Sequence, residues 1–422
     1  MQVRLALILG GLSAFGPLSI DMYLPAFPEL AERLHTGPSQ VQLTLTTFMI
    51  GLAVGQAVAG SLSDSFGRRG PLVVGLALYT ASSVACVVAP SVYALAALRL
   101  AQGLSAAAGV VIARAAVRDM FSGAAMAKFF SALMLVNGLG PLLAPIVGGQ
   151  LLRWTSWEGI FVALAAFGAV LLAVVVFFLP ETLPPEYRGR PQLRRTLRTY
   201  VKIGTERSFF AYAAAAGFVG GAMFAYIAGS SFVLQDIHGM SPQEYSLVFA
   251  GNALGIMLVS QLNSLLLRWF APRVLLVSAL VVAAVGGLGV LASVAFALPL
   301  PFLLAALFVS VVCVGMVSPN STALALADHG ENAGAASALL GVLQFVIGGI
   351  TSPLVGLGGG QTALPMAIVI AVLACTGIVL FAVLRPAAPR LTGPAAVPAE
   401  AGLGGGLGAE PVAEPAKADH GR

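Results

Sequence analysis

Two charged side chains stand alone in apolar runs, and both are of types that hold or trade protons. Asp21, in "GPLSIDMYLPAFP" (16–28), is the single acid in a run that begins at Leu5. Arg99 sits in "LRLAQGLSAAAG" (98–109), an equally apolar stretch. A carboxylate in such surroundings binds a proton more tightly as water leaves and less tightly as a guanidinium approaches, so it can load and unload as its environment changes. Catalytic chemistry of other kinds has little to work with. The four histidines, His35, His238, His329 and His420, fall in loops or the tail, no acids cluster, and no phosphate-cradling G-x-x-x-x-G-K-[ST] loop occurs. Metal sites and resident cofactors are therefore not expected.

The elements that must position these two groups are membrane helices. Of 422 residues, 58% are hydrophobic and only 9% charged, with a mean hydropathy of +0.94, far from the roughly one-quarter charged composition of soluble domains. Runs of about 20 apolar residues, enough to cross ~30 Å of hydrocarbon, fall near 5–27, 39–62, 71–90, 92–116, 125–150, 158–180, 206–234, 242–267, 273–295, 300–326, 334–356 and 362–385. The "MQVRLALILGGLSAFG" start has the charge and apolar run of a signal peptide but no small-x-small cleavage site before Asp21 and Pro25, so it reads as a retained first span. Cys86, Cys313 and Cys375 lie inside apolar runs without paired spacing and read as small core residues.

Charge sets the orientation. With both termini cytoplasmic, nineteen of the 22 Lys and Arg residues fall on the cytoplasmic side, Arg33 and Arg153 lie in outer loops, and Arg99 is embedded. The net charge of +5 is thus a matter of topology, with no nucleic-acid partner implied. On this topology Asp21 lies roughly 10 Å, and Arg99 roughly 12 Å, below the outer surface. The two charges share a depth, which leaves open a direct or water-mediated interaction or separate satisfaction of each. Pro25 and Pro28 have no N–H, so the carbonyls of Asp21 and Leu24 lose their helical partners and the first span is expected to loosen there. Such backbone at membrane depth is tolerated where it lines a cavity or is buried in protein, which favours an inward-facing Asp21.

The longest internal polar segment, "PETLPPEYRGRPQLRRTLRTYVKIGTER" (180–207), divides the spans six and six. The expected organisation is a first half over 1–180, a basic cytoplasmic linker over 181–205, a second half over 206–385 and a tail over 386–422 with too little apolar bulk to fold. Weak repeats support two halves: "SLSDSFGRRGPL" (61–72) is echoed by "LLLRWFAPRVLL" (265–276), and "GAAMAKFFSALMLV" by "GAASALLGVLQFVI".

The loop "GSLSDSFGRRGPL" (60–72) closely resembles the G-x-L-x-D-x-x-G-R-[RK] element of the major facilitator superfamily, and "RLAQG" resembles its R-x-x-Q-G element. "NGLGPLLAPIVGG" (137–149) is similar to the bend associated with antiport. With "SIDMYLPAFP" and "VIARAAVRDMF" (111–121), these look like the Bcr/CflA branch of drug:proton antiporters.

The resemblance implies an all-α integral membrane protein of twelve helices in two pseudo-symmetric six-helix halves. It implies a conformational latch at Gly60, Asp64, Gly67, Arg68 and Arg69, with Gly60 allowing a close helix approach and Gly67 a tight turn. It also implies a bend at Gly140, Pro141, Pro145, Gly148 and Gly149. Asp21 and Arg99 are then the proton-coupling pair, and Tyr23, Asn137, Tyr226 and Asn252 are candidate cavity residues. The expected activity is proton-driven export of small lipophilic drugs, phenicol- or bicyclomycin-like, by a monomer in the lipid bilayer of a bacterial cytoplasmic membrane. A transporter of one endogenous metabolite, outward or inward, stays open as an alternative. An integral-membrane enzyme fits the residues poorly.

Overall fold

The structure is a computed structural model that describes residues 2–188, 201–327, 333–358 and 362–384. The centre of the expected linker and the 386–422 tail lie outside the described residues. Among the described residues every regular element is helical. Nine spans are the helices Pro38–Phe66, Arg69–Val87, Val92–Met120, Gly123–Leu151, Trp157–Phe178, Arg207–Phe232, Pro242–Leu266, Pro272–Ala295 and Leu364–Leu384. The tenth span is made of Leu300–Val312 and Val314–Leu326, which meet at Cys313. Ala333–Val355 occupies the eleventh place, with a shorter apolar stretch at Leu339–Val355.

The first span is broken twice, by a bend at Ala14 just before Pro17 and, as expected, by a turn at Pro25 and Pro28. Its segments are Gln2–Ser13, Phe15–Asp21, a 3-10 turn at Leu24–Ala26 and Phe27–Arg33, with a bend of 43° between the part before Ala14 and the part after it. It runs past the expected end at 27, and the second and fourth spans likewise reach Phe66 and Met120. Their polar ends stay helical because a helix satisfies its own backbone whether or not lipid surrounds it.

Local chemistry sets several ends. Pro38, Pro242 and Pro272 open their helices, where a missing N–H is harmless. Ser91 caps the fourth span through the Ala94 N–H, and Ser241 with Glu244 forms a capping box on the eighth. Gly67 ends the second span at φ +89°, a conformation that penalises any side chain.

Packing within the first six spans centres on the second and fourth, which lie against each other along much of their length. A Cβ on Gly51 or on Gly103 would strike the backbone of the facing helix. Gly60, the expected close-approach glycine, has only an ordinary contact, with Val111 3.6 Å from where its Cβ would be. The approach is made two to three turns deeper, because the helices are nearest where both carry glycine.

The second span also lies along the eleventh, and the fifth along the eighth. Six hydrogen bonds join the first six spans to the last six among the described residues, and all lie at the end opposite the 60–72 loop. Ser39 Oγ donates to the Pro353 carbonyl (3.4 Å), Gln42 Nε2 to Ala228 (3.0 Å) and Thr46 Oγ1 to Gly349 (3.2 Å). In return Ser231 Oγ donates to Leu24 (2.7 Å), Gln235 Nε2 to Pro25 (3.2 Å) and Gln243 Nε2 to Gly149 (2.7 Å). The bundle is thus sealed at one end by neutral bonds.

Candidate functional site

The seal extends about 12 Å along the second span, from Pro38 to Thr46, and the two lone charges lie near its inner edge. The helical turn of the first span stops at Asp21 itself, and Met22 and Tyr23 lead into the 3-10 turn. The carbonyl of Leu24, denied the amide of Pro28, is taken by Phe27 within the turn and by Ser231 from the seventh span. Asp21 is 4% exposed and has no hydrogen bond or ion pair among the described residues. From the other half the hydroxyls of Tyr226 and Tyr245 stand within electrostatic range. Asn252 Nδ2 donates to Tyr226 Oη at 2.7 Å, and Tyr245 Oη lies 3.3 Å from Ser230 Oγ.

Arg99 is fully buried but is not paired with Asp21. Its guanidinium donates to the Ser19 carbonyl (2.8 Å) and to Gln102 Oε1 (2.6 Å). Gln102 in turn donates to Ser83 Oγ (2.7 Å), and Ser19 Oγ shares a 2.6 Å bond with Tyr79 Oη. Its Nε has no hydrogen bond, and aromatic faces surround the group: the guanidinium carbon is 4.2 Å from the centroid of Phe48, 4.9 Å from Tyr23 and 5.8 Å from Phe161. Arg99 thus grips the first span two residues before the carboxylate. Tyr23, expected in a cavity, is a wall of this box, and its hydroxyl lies 3.1 Å from Thr44. Asn137 spends its amide on Leu133 in its own helix (2.9 Å). Tyr226 and Asn252 are brought together beside Asp21; Tyr23 and Asn137 are not.

The 60–72 loop is organised around Arg68. Its side chain bonds Asp64, Ser63 (2.9 Å) and Asp119 (2.8 Å) at the end of the fourth span. Arg69 donates to the Val176 carbonyl (2.5 Å). Glu181, just past the sixth span, accepts the backbone N–H groups of Arg68 (2.7 Å), Arg69 (3.2 Å), Thr182 and Leu183 (both 3.0 Å). It therefore caps the third helix, where an anion is favoured.

The expected latch lacks Asp119 and Glu181, and Glu181, expected at the start of the linker, folds back on the first half. The available signal was an acid at the end of an apolar run on the same side as the basic loop. Gly67 is doubly constrained, since a Cβ there would meet the Glu181 carboxylate at 2.5 Å.

Partial burial raises the Glu181 carboxyl, but the four N–H donors outweigh it and hold it below the usual carboxylate range. A carboxyl with a lowered folded-state pKa stabilises above the unfolded value of ~4.3 and loses that contribution as pH falls through the folded value. The latch is therefore intact at neutral pH. Glu181→Gln is expected to cost about 1 kcal/mol, as lost helix caps do, read as a lower thermal unfolding midpoint at pH 7. The difference from the parent should shrink below about pH 4; an equal difference at both pH values would deny the carboxylate this role.

The proline-bearing fifth span is a single helix, Gly123–Leu151, with Pro141 and Pro145 inside it. Its small residues face both halves. A Cβ on Gly140 would meet Pro17 at 2.6 Å, one on Gly148 would strike the Met22 carbonyl, and one on Gly149 would meet Pro242 and Ser246 of the eighth span. The expected bend thus packs directly on the residue after Asp21. Among the described residues, no three or more His, Cys, Asp or Glu are placed to hold a metal ion.

The family model described as Major Facilitator Superfamily matches residues 9–353. An uncharacterized MFS-type transporter, YdgK, of Bacillus subtilis is 39% identical over 386 residues, 90% of this chain and 95% of its own length. A Bicyclomycin resistance protein homolog of Haemophilus influenzae is 34% identical over 363 residues, 85% of this chain and 90% of its own. Multidrug resistance protein MdtL of Escherichia fergusonii is 28% identical over 330 residues, 78% of this chain and 82% of its own. Among solved structures, a bacterial homolog of the human lysosomal transporter Spinster aligns with a TM-score of 0.76 at 14% identity, covering 92% of this chain and 97% of that one. A D-xylose–proton symporter aligns at 0.68 and 16%, covering 92% and 98%.

Proposed function

Because the chain belongs to the major facilitator superfamily, we propose that it exports small lipophilic drugs across a bacterial cytoplasmic membrane in exchange for protons, with Asp21 as the coupling group. The drug class is supported by the printed names of two relatives, a bicyclomycin resistance homolog and a multidrug resistance protein. The coupling role rests on one observation: Asp21 is buried without a partner beside the seam that closes one end of the bundle.

Positive-inside asymmetry supports a topology with the sealed end outside and the 60–72 loop and both termini in the cytoplasm; among the described residues no hydrogen bond joins the halves at the 60–72 end. A buried carboxylate with no counter-charge costs several kcal/mol, whereas a neutral acid with two hydroxyls in range costs far less. Closure of the outer end and protonation of Asp21 therefore favour each other. From the cytoplasm a drug enters between the halves; proton release to the cytoplasm leaves a charge that opens the seam outward. Drug departure and reprotonation from outside complete the cycle. Arg99 takes no proton in this scheme but holds the helix that carries the carboxylate.

The unit of function is one chain of two six-helix halves, 1–180 and 206–385, joined by the basic linker, with Glu181 drawn into the first half. The test is expression in an efflux-deficient bacterium challenged with an antibiotic panel, repeated with a protonophore. Resistance to bicyclomycin- or phenicol-like compounds that the protonophore abolishes is the expected outcome. Resistance untouched by the protonophore excludes proton drive, and no resistance across the panel points to a metabolite as cargo.

A further inference from the structure

The six bonds of the outer seam share a form: every donor is a side chain and every acceptor a backbone carbonyl. Four of these acceptors lack the amide that a helix would supply four residues on. For Leu24 that position is Pro28, and for Gly349 it is Pro353, which lies inside the helix Ala333–Val355. Gly149 and Pro353 lie in the last turns of Gly123–Leu151 and Ala333–Val355, where carbonyls have no partner within the helix. A carbonyl deep in a membrane protein cannot be left bare without cost. The donors that satisfy these groups come from across the boundary between the halves.

We propose that the outer gate closes by capture of carbonyls that lack the amide four residues on, so that Pro28 and Pro353 act as gate residues by withholding it; Leu24 keeps only the Phe27 N–H of the 3-10 turn. The seam is then self-limiting. When it opens, Ser231 and Thr46 and the carbonyls they held must turn to water or substrate, which fits a gate that opens onto a wet cavity. No ion pair joins the halves at this seam among the described residues. Glu32 and Asp236, on opposite halves, repel each other at its rim, and Asp21 lies at its inner edge, so these carboxylates weaken the seam when charged.

The proposal separates the proline from any general helix-kinking role. Restoring an N–H at position 353 gives Gly349 a partner inside its own helix and makes the bond from Thr46 dispensable. The experiment uses the full-length protein with its three cysteines replaced by alanine, and spin labels on Arg33→Cys and His238→Cys, exposed positions at the sealed end of opposite halves. Pulsed electron paramagnetic resonance then reads the short, closed distance and the long, open one.

Thr46→Val is expected to raise the open-to-closed ratio about fivefold, as loss of one net hydrogen bond would. Pro353→Ala is expected to raise it by a similar factor, and the double variant by no more than either single change. Multiplying effects, or a Pro353→Ala protein with the parent distribution, would overturn the capture mechanism. If Pro353→Ala does not fold, the Pro28→Ala and Ser231→Ala pair decides by the same criterion.

Discussion

Asp21→Asn reaches the membrane at the parent level and binds drug, but no longer accumulates it against a gradient. Asparagine keeps the size and polarity of the acid and removes only the proton that can be gained or lost. One proton moving down 100 mV and one pH unit supplies about 3.7 kcal/mol, a ceiling near 500-fold accumulation. In everted vesicles the ratio for the variant should fall to about one while downhill exchange persists. The direct readout is proton release by purified protein on addition of drug, one per binding event in the parent and none in Asp21→Asn. Undiminished release from the variant would move the coupling to another group. Because the parent carboxyl is buried without a partner, the variant should also sit with its outer end closed as readily as the parent at low pH.

Arg99→Lys should be almost as damaging, although the charge is kept. The guanidinium donates in two directions, to the Ser19 carbonyl and to Gln102, while its plane meets three aromatic faces. A lysine ammonium is a compact, strongly hydrated point charge that cannot span both acceptors or stack. One of them is then left bare in a fully buried site, at a cost of about 1–3 kcal/mol. The expected result is a lowered unfolding midpoint and efflux reduced at least about tenfold, with Gln102→Glu failing to restore it because the lost feature is geometry rather than charge. Parent-like transport by Arg99→Lys would reduce Arg99 to charge balance.

Both predictions depend on features that were unequally legible in the sequence. Twelve spans could be read directly, because about 20 apolar residues per crossing is a demand that lipid imposes on any chain. The loosening at Pro25 and Pro28 follows from a missing amide, whereas the captor of the Leu24 carbonyl, Ser231, lies 207 positions away. Of the two arrangements left open for Asp21 and Arg99, the structure shows separate satisfaction, with Arg99 held by Ser19 and Gln102. Residue counting gives height along a helix but not the direction a side chain takes when a carbonyl and three rings compete for it.

For the same reason the 60–72 loop announced Arg68 but concealed its partners Asp119 and Glu181, which lie 51 and 113 positions away. Gly60 misled because a motif marks a position without saying which neighbouring glycines, here Gly51 and Gly103, bring the helices closest.

The form of the outer seam bears on how this protein drifts. Each cross-half bond is half written in backbone, and substitution cannot delete a carbonyl. Six bonds therefore expose six side chains to mutation rather than twelve. Substitution on the accepting side, as at the buried Leu24 and Ala228, leaves the carbonyl in place and is limited by packing alone. A lineage could thus remodel the walls of its exit path, and with them the range of compounds it passes, while the closure itself is inherited intact.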